Sequence, residues 1–207
     1  MTLKTTANNK KVIAKRIGDI ETDKIIQDLT PDNRIVGLTN GIFSLISLIH
    51  SVLKKTSKAD VTISTWSAGW YDIRVMDELI NSELINDIRL IIDRSFKTRQ
   101  AGYAVGVSEI FKPENIRTTN THSKFVLISN DTWKICILSS MNLNENKRCE
   151  NFDINTDIDV FNLFNDFAKD LFKNQQPGII ESRKIVDNVF DQLFESNTSS
   201  WGLKQEW

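Results

Sequence analysis

Apolar positions along the chain fall into short alternating or continuous runs, separated by stretches in which they recur every three to four residues. This is the pattern of strands alternating with helices. In RIVGLTNGIFSLISLIHSVLKK, Ile42, Ile46, Ile49 and Leu53 keep helical spacing and Asn40 stands ahead of them as an N-cap, so the segment predicts a helix with one broad buried face. DVTISTW, residues 60–66, alternates and is rich in β-branched side chains, the mark of a strand. SAGWYD then reads as a loop, and DIRVMDELINSEL as a helix with Val75, Met76, Leu79, Ile80 and Leu84 inward. IRLIID, residues 88–93, is a compact apolar run and predicts a buried strand. A basic, glycine-containing connection leads to HSKFVLIS and WKICILSS, two strand-like runs joined by the turn residues NDT. NFDINTD predicts a further strand, and FNLFNDFAKDLF an amphipathic helix through Phe161, Phe164, Ala168, Leu171 and Phe172. After Pro177-Gly178, IIESRKIVDNVFDQLFES carries a second stripe, Ile185, Val189 and Leu193, read as an appended helix that packs on the domain or on a partner subunit.

These elements predict an α/β fold: a layered mixed β-sheet flanked by helices, with the appended C-terminal helix outside it. The expected division is a loose N-terminal segment over 1–15, one domain over 16–176, and the C-terminal helix and tail over 177–207. A length of 207 residues supports one good-sized core, and 40% hydrophobic residues suffice to fill it. No apolar run reaches membrane-spanning length and the N-terminus has no signal-peptide core, so no membrane span and a cytoplasmic protein are expected. Cys136 and Cys149 are too few for a disulfide framework and form no metal-type cluster; both are expected as reduced thiols, Cys136 buried on its strand.

A formal net charge of −1 hides an uneven distribution. Between Arg94 and Lys124 there are six basic residues (Arg94, Lys97, Arg99, Lys112, Arg117, Lys124) against two acidic ones (Glu109, Glu114). Residues 150–170 reverse the balance. A local positive field suits an anionic substrate, and it leads directly into the chain's most unusual stretch. His122 and Lys124 are two apart at the head of a strand-like run, so both side chains leave the same face. The return strand can bring Ser139, Ser140 and Asn142 alongside, with Glu150 a short loop away. An imidazole can act as a nucleophile, a carboxylate can fix its tautomer, and lysine and asparagine can donate to phosphoryl oxygens. Taken singly, each residue also has a structural reading: turn chemistry for the serines and asparagine, surface charge for Glu150.

The order of these residues resembles the phospholipase D superfamily signature, an HxK followed by an acidic residue, then GSxN, then a glutamate or aspartate. Here HSK precedes SSMNLNENKRCENFDI, with the likeness strongest over residues 116–172 and extending over 30–175. The resemblance implies a phospholipase D-like fold and a covalent phosphohistidine. It implies His122 as nucleophile, Lys124 and Asn142 as phosphate clamp, Ser140 as a loop anchor near substrate, and Glu150 as the group that orients His122. No cofactor and no metal are implied. Two positions depart from the pattern: the acidic residue five places after the lysine is Ser129, with Asp131 two residues on, and the glycine of GSxN is Ser139.

The family's chemistry uses two such histidines, one to attack and one to protonate the leaving oxygen. His50 is followed by Ser51-Val52, without the lysine, on an apolar helical stretch. The second histidine is therefore expected from another copy, in a homodimer formed through the active-site face. Nucleic acid is the expected substrate, with Ser139, Arg94, Lys97 and Arg99 toward the phosphates and Trp66 or Trp70 stacking on a base; Phe96 and Tyr103 lie in the same basic run. The alternative for both tryptophans is that they cap the core. Two other functions stay open: a binding module that has lost catalysis, and a phospholipid head-group hydrolase or transferase.

Overall fold

The computed structural model describes residues 10–18, 21–144 and 147–198. Eight strands form one mixed sheet: β1 (Lys11–Ile17), β2 (Asn33–Thr39), β3 (Ala59–Thr65), β4 (Ile85–Asp93), β5 (Ile116–Thr119), β6 (Phe125–Ser129), β7 (Lys134–Ser139) and β8 (Glu150–Asn155), in the spatial order β1-β2-β8-β7-β6-β3-β4-β5. β1 pairs with β2 in parallel, as do β3 with β4 and β4 with β5; the central pairings from β2 through β8, β7 and β6 to β3 are antiparallel. Five helices follow the early strands: α1 (Thr22–Ile26), α2 (Leu45–Thr56), α3 (Trp70–Ile80), α4 (Phe96–Arg99) and α5 (Ala101–Phe111). α6 (Ile158–Asn174) and α7 (Arg183–Thr198) close the chain.

The register explains the continuous apolar runs. Ile35, Ile154, Ile137, Val126 and Ile63 are successive cross-strand partners and make one β-branched row through the sheet. This row belongs to a large cluster with Ile46, Ile49 and Leu53 of α2, Met76 of α3 and Val107 of α5. The alternate positions Phe125, Leu127, Cys136 and Ile91 face the other way and pack with Phe161, Ala168 and Leu171 of α6 and Val189 of α7. Both faces of the central strands are thus buried, which is why the sequence there shows no polar alternation. Asp157 caps α6 by accepting hydrogen bonds from the backbone N–H groups of Asp159 and Val160.

Four expectations need correction. The helix predicted behind an Asn40 N-cap begins only after Ser44, which leaves Ile42 outside it and exposed, and the start of that segment belongs to strand β2 (Asn33–Thr39), with Ile35, Gly37 and Thr39 inward. Gly37 makes this possible: a Cβ there would lie 2.3 Å from Cζ of Phe152, so the ring rests on bare backbone in the neighbouring strand. The connection after β4 holds two helices and strand β5; Gly102 and Gly106 obscure its helical character in the sequence. The loose segment expected over 1–15 loses Lys11 onward to β1, while residues 1–9 and the tail 199–207 lie outside the described residues. In α7 the inward positions are Val186 and Val189, and Ile185 is 38% exposed. No helix among the described residues is long and apolar enough to cross a membrane.

Both cysteines are free, Cys136 buried and Cys149 exposed. Burial, reinforced by the charge of Asp153, pushes the Cys136 thiol up to about 12. The thiolate is the reactive form, so a thiol reagent at mildly alkaline pH is expected to modify Cys149 in the native protein and Cys136 only after unfolding. Equal rates for the two thiols would contradict the burial.

Candidate active site

His122, Lys124, Ser139, Ser140, Asn142 and Glu150 lie at one end of the sheet, because the topology brings the C-terminal ends of β3, β4, β5 and β7 beside the N-terminal ends of β6 and β8. This is the end at which open α/β sheets place their ligand sites. His122 and Lys124 lie just ahead of β6 rather than within it, and two hydrogen bonds fix that lead-in. Ser64 Oγ donates to the Ser123 carbonyl at 2.9 Å, and the Ser139 N–H donates to the Lys124 carbonyl at 3.1 Å. Asp93 secures the preceding turn, its Oδ2 accepting from the Thr121 N–H at 3.2 Å and its Oδ1 from the Ser95 N–H at 2.9 Å. Asp93 was not among the residues expected from the sequence.

His122 is exposed, whereas Lys124 is only 9% exposed. The Lys124 ammonium stands 3.0 Å from Nδ1 and 3.3 Å from Nε2 of His122 and donates to the His122 carbonyl at 2.9 Å. An ammonium only donates, so the ring nitrogen it meets is an acceptor. Burial lowers the Lys124 pKa below that of a free lysine, and the negative charge of Glu150 works in the opposite direction.

Across the site, Ser140 Oγ donates to Glu150 Oε2 and also accepts from the Asn151 N–H at 3.0 Å. Among the described residues no hydrogen bond joins Glu150 to His122; within one chain the carboxylate that was expected to orient the imidazole is held by Ser140. Ser139 Oγ donates to the Asn151 carbonyl at 2.8 Å and accepts from the Met141 N–H at 3.0 Å, a turn-fixing role at the position expected toward phosphate. Asn142 is half-buried, its Oδ1 3.5 Å from the Thr65 hydroxyl.

The basic run is divided. Arg99 lies over the Trp66 ring at 3.6 Å and donates to the Trp66 carbonyl at 2.7 Å, while the Trp66 and His122 rings are 5.3 Å apart. Arg94 shares a recess of about 360 Å³ with Trp66, Asp93, Ser95, Asn120, Thr121 and His122. Lys97 pairs instead with Glu181 and lines a different recess with Ala104 and Gly178. Phe96 is fully buried and offers no face to a base. Neither tryptophan is simply a core cap: Trp66 is half-buried against His122, and Trp70 is 48% exposed.

No family model and no curated protein matches the chain. Among solved structures, a phospholipase D family member, Nuc from Salmonella typhimurium, is similar at 16% identity and a TM-score of 0.49, over 70% of this chain and 97% of its own. Polyphosphate kinase from Porphyromonas gingivalis is similar at 13% identity and a TM-score of 0.49, over 81% of this chain and 28% of its own. NucT from Helicobacter pylori is similar at 15% identity and a TM-score of 0.44, over 70% and 99%. At such identities and scores none of these likenesses decides the chemistry.

Proposed function

We propose that the chain is a metal-independent phosphodiesterase acting on nucleic acid, with a covalent phosphohistidine at His122 and a site shared by two copies. The observation that supports this best is the buried Lys124 ammonium held against an exposed imidazole at the ligand-binding end of the sheet. Little but an anion repays burying that cation without a bonded carboxylate. In the reading, a ring nitrogen of His122 attacks phosphorus, the bond from phosphorus to the leaving oxygen breaks, and a protonated His122 of the second copy supplies the proton to that oxygen. Water then cleaves the phosphohistidine. Lys124 and Asn142 hold the non-bridging oxygens, and Ser140 with Glu150 keeps the opposite wall of the site in place. The two free thiols suit a cytoplasmic setting.

The test is incubation of wild type and His122→Ala with labelled single- and double-stranded DNA and RNA in EDTA, following both cleavage and retention. Cleavage by wild type alone is the expected result. Retention without cleavage, equal in the two proteins, would make this a binding module on the same scaffold.

A further inference from the structure

Trp70 and Tyr103 are aromatic rings left open to solvent, 48% and 38% exposed, with centroids 6.4 Å apart and planes within 21°. Trp70 is nevertheless firmly seated. A Cβ on Gly106 would come 2.7 Å from its Cζ3, so the indole lies on the bare backbone of α5. Arg74, one turn further along α3, is exposed and adds a positive charge to the same end of that helix.

A second group of flat side chains stands at the candidate nucleophile, on the same strand-to-helix turn and helix lead-in that carry the pair. The His122 ring is 5.3 Å from that of Trp66, and Trp66 carries the Arg99 guanidinium at 3.6 Å. Tyr103 stands on α5, four residues after Arg99 and past the backbone break at Gln100, whose side chain accepts a hydrogen bond from Ser67. The bridge between Ala68 and Leu143 ties the strand-to-helix turn carrying Trp66 and Trp70 to the loop after Asn142. Arg99 already occupies a face of Trp66, whereas the Trp70–Tyr103 pair is open to solvent.

We infer that these two groups form a track for unpaired bases and that the substrate is single-stranded nucleic acid. The inference rests on the phosphodiesterase reading and names the substrate class of the same site. Every base has a π-face, but in a duplex those faces are covered by neighbouring base pairs; only an open strand can lay a base on an exposed indole while its backbone reaches His122 and Lys124. Ring stacking tolerates any base, so weak sequence preference accompanies it.

The experiment uses the full chain with His122→Ala, so that binding is read without cleavage, in EDTA at fixed salt. Fluorescence anisotropy compares a labelled single-stranded 12-mer with its duplex. Adding Trp70→Ala or Tyr103→Ala is expected to weaken single-strand binding roughly 10- to 100-fold and to leave the weaker duplex binding unchanged. Trp70→Phe, which keeps a ring on Gly106, is expected to restore binding to within about threefold, separating stacking from a folding defect. Duplex bound as tightly as single strand, or single-strand affinity within about twofold of the parent after ring removal, overturns the inference. A parallel arm follows hydrolysis of bis(p-nitrophenyl) phosphate by wild type and His122→Ala. If hydrolysis depends on His122 while strand preference is absent, the base track fails and the phosphodiesterase stands. If hydrolysis is independent of His122, the underlying reading fails.

Discussion

Replacing His122 by alanine is expected to lower phosphodiester cleavage by about four orders of magnitude or more, the scale seen when a nucleophile is removed from a unit that acts together. The side chain is exposed and its contacts are those to Lys124 and the tilted Trp66 ring, so the variant's stability is expected to lie within about 0.5 kcal/mol of wild type. The shared site makes a sharper forecast. If one site needs the imidazoles of both copies, a mixed dimer carries one and cannot complete the reaction. Exchange with a ninefold excess of His122→Ala is then expected to cut activity per wild-type chain about tenfold, because only about one wild-type chain in ten still meets another. Undiminished activity per wild-type chain after full exchange would show that each copy works alone.

Lys124→Met is expected to cost two to three orders of magnitude in turnover, roughly the loss on removing one donor aimed at developing negative charge. Its pH behaviour has a definite sign. The competent form is the ammonium, and burial sets its pKa below that of a free lysine. Activity is therefore expected to fall as pH rises through that lowered value, on the acid side of the ordinary lysine titration near 10.5. Glu150 opposes the shift, so Glu150→Gln is expected to move the alkaline limb further toward neutral pH. Stability runs the other way. Between the lowered folded value and the free value the unfolded chain binds more protons than the native one, so this group makes stability rise with pH across the window where activity declines. Lys124→Met is expected to abolish that rise, read by thermal melts at several pH values. An activity profile with its alkaline limb at or above the free-lysine value would contradict the burial of the cation.

The candidate site was legible in part because its members are close in sequence. His122 and Lys124 share a face by the period of an extended chain, and SSMN follows the return strand of a hairpin, so spacing sufficed to place them at one end of the sheet. Asp93 was not legible as a site residue. It is 29 residues from His122 and becomes relevant only when parallel pairing puts the end of β4 beside β5 and the turn before β6. Glu150 shows the complementary limit: the resemblance implied a partner for His122, whereas within one chain the geometry of β7 and β8 pairs it with Ser140.

By itself the sequence determined the α/β layering, most of the central strands, the helical core of α6 over 161–172 and the closeness of His122 to Lys124, because these depend on local periodicity and on residues near one another in the chain. Only the tertiary structure decided that Asn33–Thr39 is a strand, since its partner β8 lies more than a hundred residues away and Gly37 is explained only by the Phe152 ring upon it. The same holds for the helix built around Gly102 and Gly106, where the packing of Trp70 outweighs a poor helix propensity. It also decided which cations face the site: Arg99 turns to Trp66 and Lys97 to Glu181, a choice made by the neighbours that folding brings and not by the charge run itself.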